Sequence, residues 1–166
     1  MPTLLWDASA LIKRYAPEPG SDTVDALYTA PQPEFVTTIW GYAETFAALL
    51  RKRNSGAISD ATLTTATTAL PREVLTNRRY KMLTIDDGLI LSGLKLVQQH
   101  NINTMDAAIL TVFLQFAHSQ PTGDPICVLI ASDKRLLRAA EAEGLKTLNP
   151  EIIVVADVPA LLASLA

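Results

Sequence analysis

Short apolar segments, each followed by a helical pattern, dominate this sequence. The apolar run at residues 3–6 ends at Asp7, and residues 8–15 then carry apolar side chains at helical spacing. The apolar run 126–131 is followed by a helical pattern in the same way. Strands that alternate with helices form a mainly parallel sheet with helices on both faces. The sequence therefore predicts a three-layer α/β fold.

The remaining elements follow from the same patterns. Strands are expected at 3–6, 34–38, 126–131 and 152–155, and helices at 8–15, 21–28, 39–53, 59–70, 86–99, 104–117, 132–143 and from 158 onwards. Residues 72–85 fit neither pattern, and 119–125, with Gly123 and two prolines, predict an exposed loop. A chain of 166 residues without a repeat or linker is expected to form one domain, 1–166.

Composition narrows the classes of function. Hydrophobic residues make up 49% of the chain, which is ample for a core. A net charge of −3 argues against a broad basic face for nucleic acid, so any such contact must be local. The single cysteine, Cys127, excludes an internal disulfide and a zinc site built on cysteines.

Targeting signals are also not apparent in the sequence. The N-terminus lacks the basic and apolar regions of a signal peptide. No stretch reaches the roughly 18 consecutive apolar residues of a membrane span. We therefore expect a cytoplasmic protein with no membrane partner.

Four acidic residues are candidates for a common site. Asp7 and Asp133 each follow a predicted strand, and the carboxyl ends of parallel strands meet at one edge of a sheet. Glu44 lies on a face of small and apolar residues in its helix, and Asp106 lies in the first turn of another. Taken singly, each aspartate could instead serve as a helix cap or complement a helix dipole, and Glu44 could pair with Arg51.

Convergence of the four acids would require a cation. Two like charges about 5 Å apart repel by roughly 3 kcal/mol at an effective dielectric of about 20, and a divalent ion relieves that repulsion. Oxygen ligands without histidine or cysteine favour Mg²⁺, with Mn²⁺ as the alternative. Such an ion suits phosphodiester hydrolysis by a metal-activated water.

Four segments resemble the sequence blocks of a known family, the VapC-like group of PIN domains. In order along the chain they read LLWDASALIKRYAPEPGS, TTIWGYAETFAALLRKRNSGAIS, NINTMDAAILTV and VLIASDKRLLRAAEAEGLKTLNP. The resemblance implies a Rossmann-like PIN fold and Mg²⁺- or Mn²⁺-dependent endoribonuclease activity on RNA. It also implies a toxin that forms a homodimer and is silenced by a cognate antitoxin protein.

The resemblance also implies roles for individual residues. It makes Asp7, Glu44, Asp106 and Asp133 the catalytic metal ligands. Ser9 and Ser132 match positions whose hydroxyls support the site, although both could equally cap helices.

Two kinds of surface are candidates for contacts with partners. Seven cations could contact RNA phosphates near the acidic edge, or could simply lie solvated at helix ends: Lys13, Arg14, Arg51, Lys52, Arg53, Lys134 and Arg135. The helices at 8–15 and 21–28 could expose a groove for an antitoxin peptide.

Other functions remain open at this point. A metal-dependent phosphatase of the haloacid-dehalogenase type also begins with an aspartate after its first strand. That family has a second acid two residues later, and this sequence has Ser9 at that position. A receiver domain needs an acidic pair there, and only Asp7 is present. A catalytically silent PIN-like module that binds RNA or regulates would have no reason to keep four acids that repel one another.

Overall fold

The computed structural model describes residues 2–31, 33–121 and 126–165, and every statement about elements refers to these ranges. The strands are β1 (Thr3–Trp6), β2 (Glu34–Thr38), β3 (Tyr80–Leu83), β4 (Cys127–Ile130) and β5 (Lys146–Leu148). The α-helices are α1 (Ala8–Leu11), α2 (Ser21–Thr29), α3 (Ile39–Asn54), α4 (Asp60–Leu70), α5 (Asp87–His100), α6 (Thr104–His118), α7 (Lys134–Ala142) and α8 (Val158–Ser164).

The strands form one parallel sheet in the order β3-β2-β1-β4-β5. Leu4 of β1 lies opposite Phe35 of β2 on one side and Val128 of β4 on the other. All four residues of β1 are buried, as expected for the centre of a sheet covered on both faces. Strands β2 and β3 are added on one side of β1, and β4 and β5 are added on the other. The direction of the chain therefore reverses at β1, and the switch point of the sheet lies between β1 and β4.

Helices cover both faces of the sheet and create two hydrophobic cores. Side chains of β1 alternate between them, since Leu4 and Trp6 pack in one core and Leu5 packs in the other. Helices α1 to α4 and α8 contribute to the first core, and α5 to α7 contribute to the second. The three-layer α/β fold predicted from the sequence is confirmed.

Several predicted elements differ from the observed ones. The helix predicted at 8–15 is α1 followed by a 3-10 turn, Ile12–Arg14. Residues 71–75 form a π-helical turn, and the segment without a clear pattern contains the edge strand β3. The strand predicted at 152–155 is wrong, because Pro150 ends the extended segment and β5 lies before it. Residues 122–125 of the predicted loop lie outside the described residues.

None of the described helices combines the length and the apolar character needed to cross a membrane.

Candidate active site

The Asp7 carboxylate lies buried at the switch point, directly after β1. Its Oδ2 atom accepts hydrogen bonds from Ser9 N (2.8 Å) and Ser9 Oγ (2.5 Å). The Ser9 hydroxyl in turn accepts from Ser132 N (2.9 Å) and Asp133 N (3.3 Å). One hydroxyl thus joins the loops that follow β1 and β4, and it brings Asp133 to the same edge as Asp7.

Asp133 is exposed and also caps α7. Its Oδ1 accepts from Arg135 N (2.7 Å) and Leu136 N (3.1 Å). Asp7 caps α1 through the Ser9 N–H. The capping explanation is therefore correct for both aspartates, and it does not exclude their meeting at one edge, because each cap uses only part of the carboxylate.

Glu44 reaches this edge from α3, in the first helical layer. Thr38 caps α3, since its Oγ1 accepts from Gly41 N (2.8 Å). The buried Thr37 hydroxyl donates to Trp6 O (2.8 Å), and a Cβ at Gly41 would lie only 2.9 Å from Thr37 Oγ1. The start of α3 is therefore held tightly against the ends of β1 and β2, and Glu44 lies about one turn further on.

Asp106 reaches the edge from α6, in the second helical layer. Asn103 caps α6 by accepting from Asp106 N (2.8 Å), and its amide donates to Asp106 Oδ2 (2.7 Å). This reciprocal pair fixes the carboxylate in the first turn of the helix. Asp106 is half-buried there, as Glu44 is in α3.

The electrostatics connect the four acids. Burial, followed by the charges of Asp7, Asp133 and Glu44, raises the pKa of Asp106 to about 7, while Arg135 opposes the shift. Burial and then the charge of Asp7 raise the pKa of Glu44, which Arg51 opposes. Burial also raises the pKa of Asp7 against its Ser9 hydrogen bonds. The carboxyl groups are therefore close enough to disfavour one another's ionisation.

The donor set fits a hard divalent cation. Its atoms are carboxylate oxygens, and the buried Ser132 hydroxyl beside them has no hydrogen-bond partner among the described residues. Within the described ranges, no three histidine, cysteine, aspartate or glutamate side chains form a group that could hold a metal ion. An open arrangement suits Mg²⁺, which usually binds through one or two carboxylates and keeps several waters.

The two serines have different surroundings. Ser9 joins Asp7 to the loop after β4, and its backbone N–H is the group that Asp7 caps. Ser132 precedes α7, whose cap is Asp133, so the helix predicted from residue 132 begins at Lys134. Neither hydroxyl therefore caps a helix, and both lie at the acidic edge.

Lys13 is not available for RNA. It is buried, with 4% of its surface exposed, and its ammonium contacts Glu18 (3.0 Å) and Glu151 (2.8 Å). Lys52 also pairs with Glu18. The expectation that Lys13 either contacts phosphates or lies solvated is wrong, because two carboxylates hold it inside the protein.

Two further cations already form ion pairs with carboxylates of the protein. Arg14 pairs with Asp25 (2.8 Å) and Glu73 (3.2 Å), and Arg53 pairs with Asp60 (2.6 Å). Their charges are thus largely neutralised.

The proposed groove on helices 8–15 and 21–28 is also not formed as expected. Leu11 and Ile12 are 0% and 5% exposed and pack in the first core, so the helix after β1 offers no apolar surface. The apolar groove of this region lies between α2 and α8, where Ala26 faces Val158 and Leu162.

Sequence reasoning missed the residues that position Glu44. Thr37, Thr38 and Thr45 are all fully buried, and Thr45 Oγ1 donates to Gly41 O (2.8 Å). The available signal was the pair of threonines that ends β2, because a threonine before a helix is a common cap.

A parallel sheet whose switch point gathers carboxylates from the strand ends and from both helical layers defines a Rossmann-like α/β protein with an acidic site. The chain belongs to the PIN-domain family, whose sequence pattern matches residues 4–142, a range that contains all four acids. PIN domains are generally nucleases. No curated protein sequence matches the chain.

Solved structures share the fold. PAE2754 from Pyrobaculum aerophilum is 17% identical, with a TM-score of 0.61 over 98% of this chain and 96% of that one. VapC20 from Mycobacterium tuberculosis, described as a toxin that cleaves the sarcin-ricin loop, is 14% identical, with a TM-score of 0.60 over 82% and 94%. A toxin-antitoxin complex from Klebsiella pneumoniae is 15% identical, with a TM-score of 0.56 over 90% and 99%.

Proposed function

We propose that this protein is a Mg²⁺- or Mn²⁺-dependent endoribonuclease and the toxin of a type II toxin-antitoxin system. The observation that carries the proposal is the mutual influence of four carboxyl groups from four separate elements, seen most strongly at Asp106. Membership of the PIN family and the fold shared with an RNA-cleaving toxin support it.

Asp7, Glu44, Asp106 and Asp133 would hold the cation in this proposal. When bound, it would lower the pKa of a coordinated water and neutralise charge on the phosphate that is attacked. The Ser9 hydroxyl orients the Asp7 carboxylate, and the tight contact of Gly41 with Thr37 keeps α3 and Glu44 against the edge. The unpartnered Ser132 hydroxyl is suited to hold a water at the same edge.

Incubation of purified protein with single-stranded RNA tests the activity. We expect cleavage with Mg²⁺ or Mn²⁺, none with EDTA, and losses of at least about 100-fold in Asp7→Asn and Asp106→Asn. The matched control is Asp157→Asn, which removes an exposed acid outside the cluster and should cleave like the wild type. RNA binding without cleavage under any metal would instead identify a silent module, and cleavage unchanged in both site variants would refute the assigned site.

We also propose an antitoxin partner encoded beside this protein. The toxin-antitoxin complex with the same fold supports the class of partner. Co-expression with the product of an adjacent small gene should give a complex of fixed stoichiometry with strongly reduced RNA cleavage. Separate elution, with cleavage unaffected, would contradict a toxin-antitoxin pair while leaving the nuclease activity intact.

The proposed toxin is a homodimer. Exposed apolar side chains on α3 and α5 provide surface for such an interface, including Phe46 (37% exposed), Leu50 (40%), Leu91 (67%) and Leu94 (48%). Light scattering of the purified protein should give twice the mass of the chain, and a monomer mass at micromolar concentration would contradict this.

A further inference from the structure

Two arginines beside the acidic cluster differ from the other cations near it. Arg51 and Arg135 are exposed, and neither forms an ion pair with a carboxylate in the part of the chain that the structure describes. Lys134 is also exposed and has no ion pair within the described ranges, but it borders an apolar groove along β5 together with Leu137 and Leu148. Arg51 and Arg135 are therefore charges available to an anionic ligand.

These two guanidinium groups belong to helices on opposite faces of the sheet. Arg51 follows Glu44 by seven residues in α3, which places both on the same side of that helix. Arg135 is two residues beyond Asp133, and its backbone N–H donates to that carboxylate. Since β2 and β4 flank β1, the helices that follow them bracket Asp7 from both layers.

An exposed aromatic side chain extends this surface along α3. Trp40 is 43% exposed, lies just after the end of β2 and precedes Glu44 by four residues. Positions 40, 44 and 51 fall on one stripe of a helix with 3.6 residues per turn. Indole faces stack on unpaired bases, and base stacking is the usual partner of isolated cations in single-strand binding. Almost half of the Trp40 surface is therefore open to a ligand.

We propose that Arg51 and Arg135 bind backbone phosphates on either side of the phosphodiester to be cleaved, with a base of the same strand stacked on Trp40. The inference rests on the proposed function and names the residues that hold its substrate, a single-stranded RNA that crosses the carboxyl edge of the sheet. A net charge of −3 argues against a broad basic face, so a duplex held by shape and charge alone is not favoured.

Fluorescence anisotropy of a labelled single-stranded oligoribonucleotide tests the proposal, with all variants made in the Asp106→Asn background. Arg51→Gln and Arg135→Gln should each weaken binding about 10-fold and reduce the slope of log affinity against log salt by about 0.7. Trp40→Leu should weaken binding by about 5- to 20-fold with the slope unchanged. The same sequence annealed into a duplex should bind more weakly than the single strand.

Matched controls lie on the same helices. Arg53→Gln and Arg138→Gln remove cations that Asp60 and the His100 carbonyl already engage, so each should change affinity less than about 2-fold.

Different failures of this experiment have different meanings. If Arg51→Gln and Arg135→Gln bind like their controls while the wild type cleaves RNA, the inference is overturned and the nuclease stands. A change in thermal stability without a change in salt slope would make Arg51 a neutraliser of Glu44 and would also overturn it. If the wild type neither binds nor cleaves RNA, the proposed function fails and the inference falls with it.

Discussion

The Ser9 hydroxyl donates a 2.5 Å hydrogen bond to the carboxylate of Asp7. The same oxygen accepts from the backbone N–H groups of Ser132 and Asp133, so it connects two loops separated by more than a hundred residues of chain. This connection lies at the switch point of the sheet, where ligands of open α/β folds bind. The shape of the acidic site therefore depends on a residue that is not itself acidic.

Ser9→Ala should destabilise the protein by about 1 to 3 kcal/mol, because it leaves two backbone donors without their partner and removes one of the two hydrogen bonds that Asp7 Oδ2 accepts. Urea unfolding measures the loss, and Ser55→Ala is the control, since that exposed hydroxyl bonds only to Lys52 O. Metal-dependent cleavage should fall as well, through misplacement of Asp7. Unchanged unfolding and unchanged cleavage in Ser9→Ala would show that the bridge has no role.

Asp106→Asn should remove a pH dependence of stability measured in EDTA. The pKa of Asp106 is raised from 3.8 to about 7, so the folded state holds a proton that the unfolded state releases. Wild-type stability should therefore decline as pH rises from about 4 to 7, and the penalty should be complete above that window. The variant should show a flatter profile and higher stability at pH 8, and a lower stability there would indicate that capping with Asn103 dominates.

Lys13→Met should destabilise the protein by about 2 to 3 kcal/mol, because it leaves Glu18 and Glu151 without their buried partner. The cost is moderated by the partial exposure of both carboxylates. Arg53→Met, which breaks the exposed pair with Asp60, should cost less than about 1 kcal/mol. RNA affinity per folded molecule should be unchanged in Lys13→Met, and a reduced salt slope would instead make Lys13 an RNA contact.

Gly41→Ala should be destabilising although alanine is favoured in helices by about 1 kcal/mol. The added methyl group would lie 2.9 Å from Thr37 Oγ1, which is fully buried and bonded to Trp6 O, so α3 must shift. We expect a loss of about 1 to 2 kcal/mol in urea unfolding and a lower cleavage rate from displacement of Glu44. In a Thr37→Ala background, Gly41→Ala should lower the free energy of unfolding by less than it does in the wild type. If the effects of the two substitutions on that free energy are simply additive, this contact is excluded as the cause.

The sequence was most informative where periodicity and burial agree. Strand β1, helix α3 and helix α6 were predicted close to their observed bounds, because their apolar residues follow the period of the element and pack on both sides of the sheet. Asp7 and Asp133 could be nominated because acids that follow parallel strands share an edge.

The edge strands β3 and β5 were the elements that the sequence predicted least well. Strand β5 has three residues, two of them Lys146 and Thr147, whereas the more strand-like segment at 152–155 leaves Ile152 76% exposed. Strand β3 is similarly short, and only its first residue is buried. Such segments become strands by pairing with β4 and β2, and that pairing depends on the tertiary fold rather than on local pattern.

The cations show a second limit of sequence reasoning. The Lys13 contact with Glu151 spans 138 residues, so nothing near Lys13 in the chain indicates that it is buried. Which cations remain available for a ligand depends on such distant pairings. Arg51 and Lys52 are neighbours in one helix, yet only Lys52 finds a carboxylate, on Glu18.

The most direct test of the shared cation site is the thermal unfolding of the protein with and without Mn²⁺. At a concentration about 100 times the dissociation constant, Mn²⁺ should stabilise the wild type by about 2.7 kcal/mol. Glu44→Gln should lose most of that stabilisation, while Glu34→Gln, an exposed acid at the opposite end of β2, should keep it. An equal Mn²⁺ effect in the wild type and Glu44→Gln, or none in the wild type, would contradict a cation site formed by these acids.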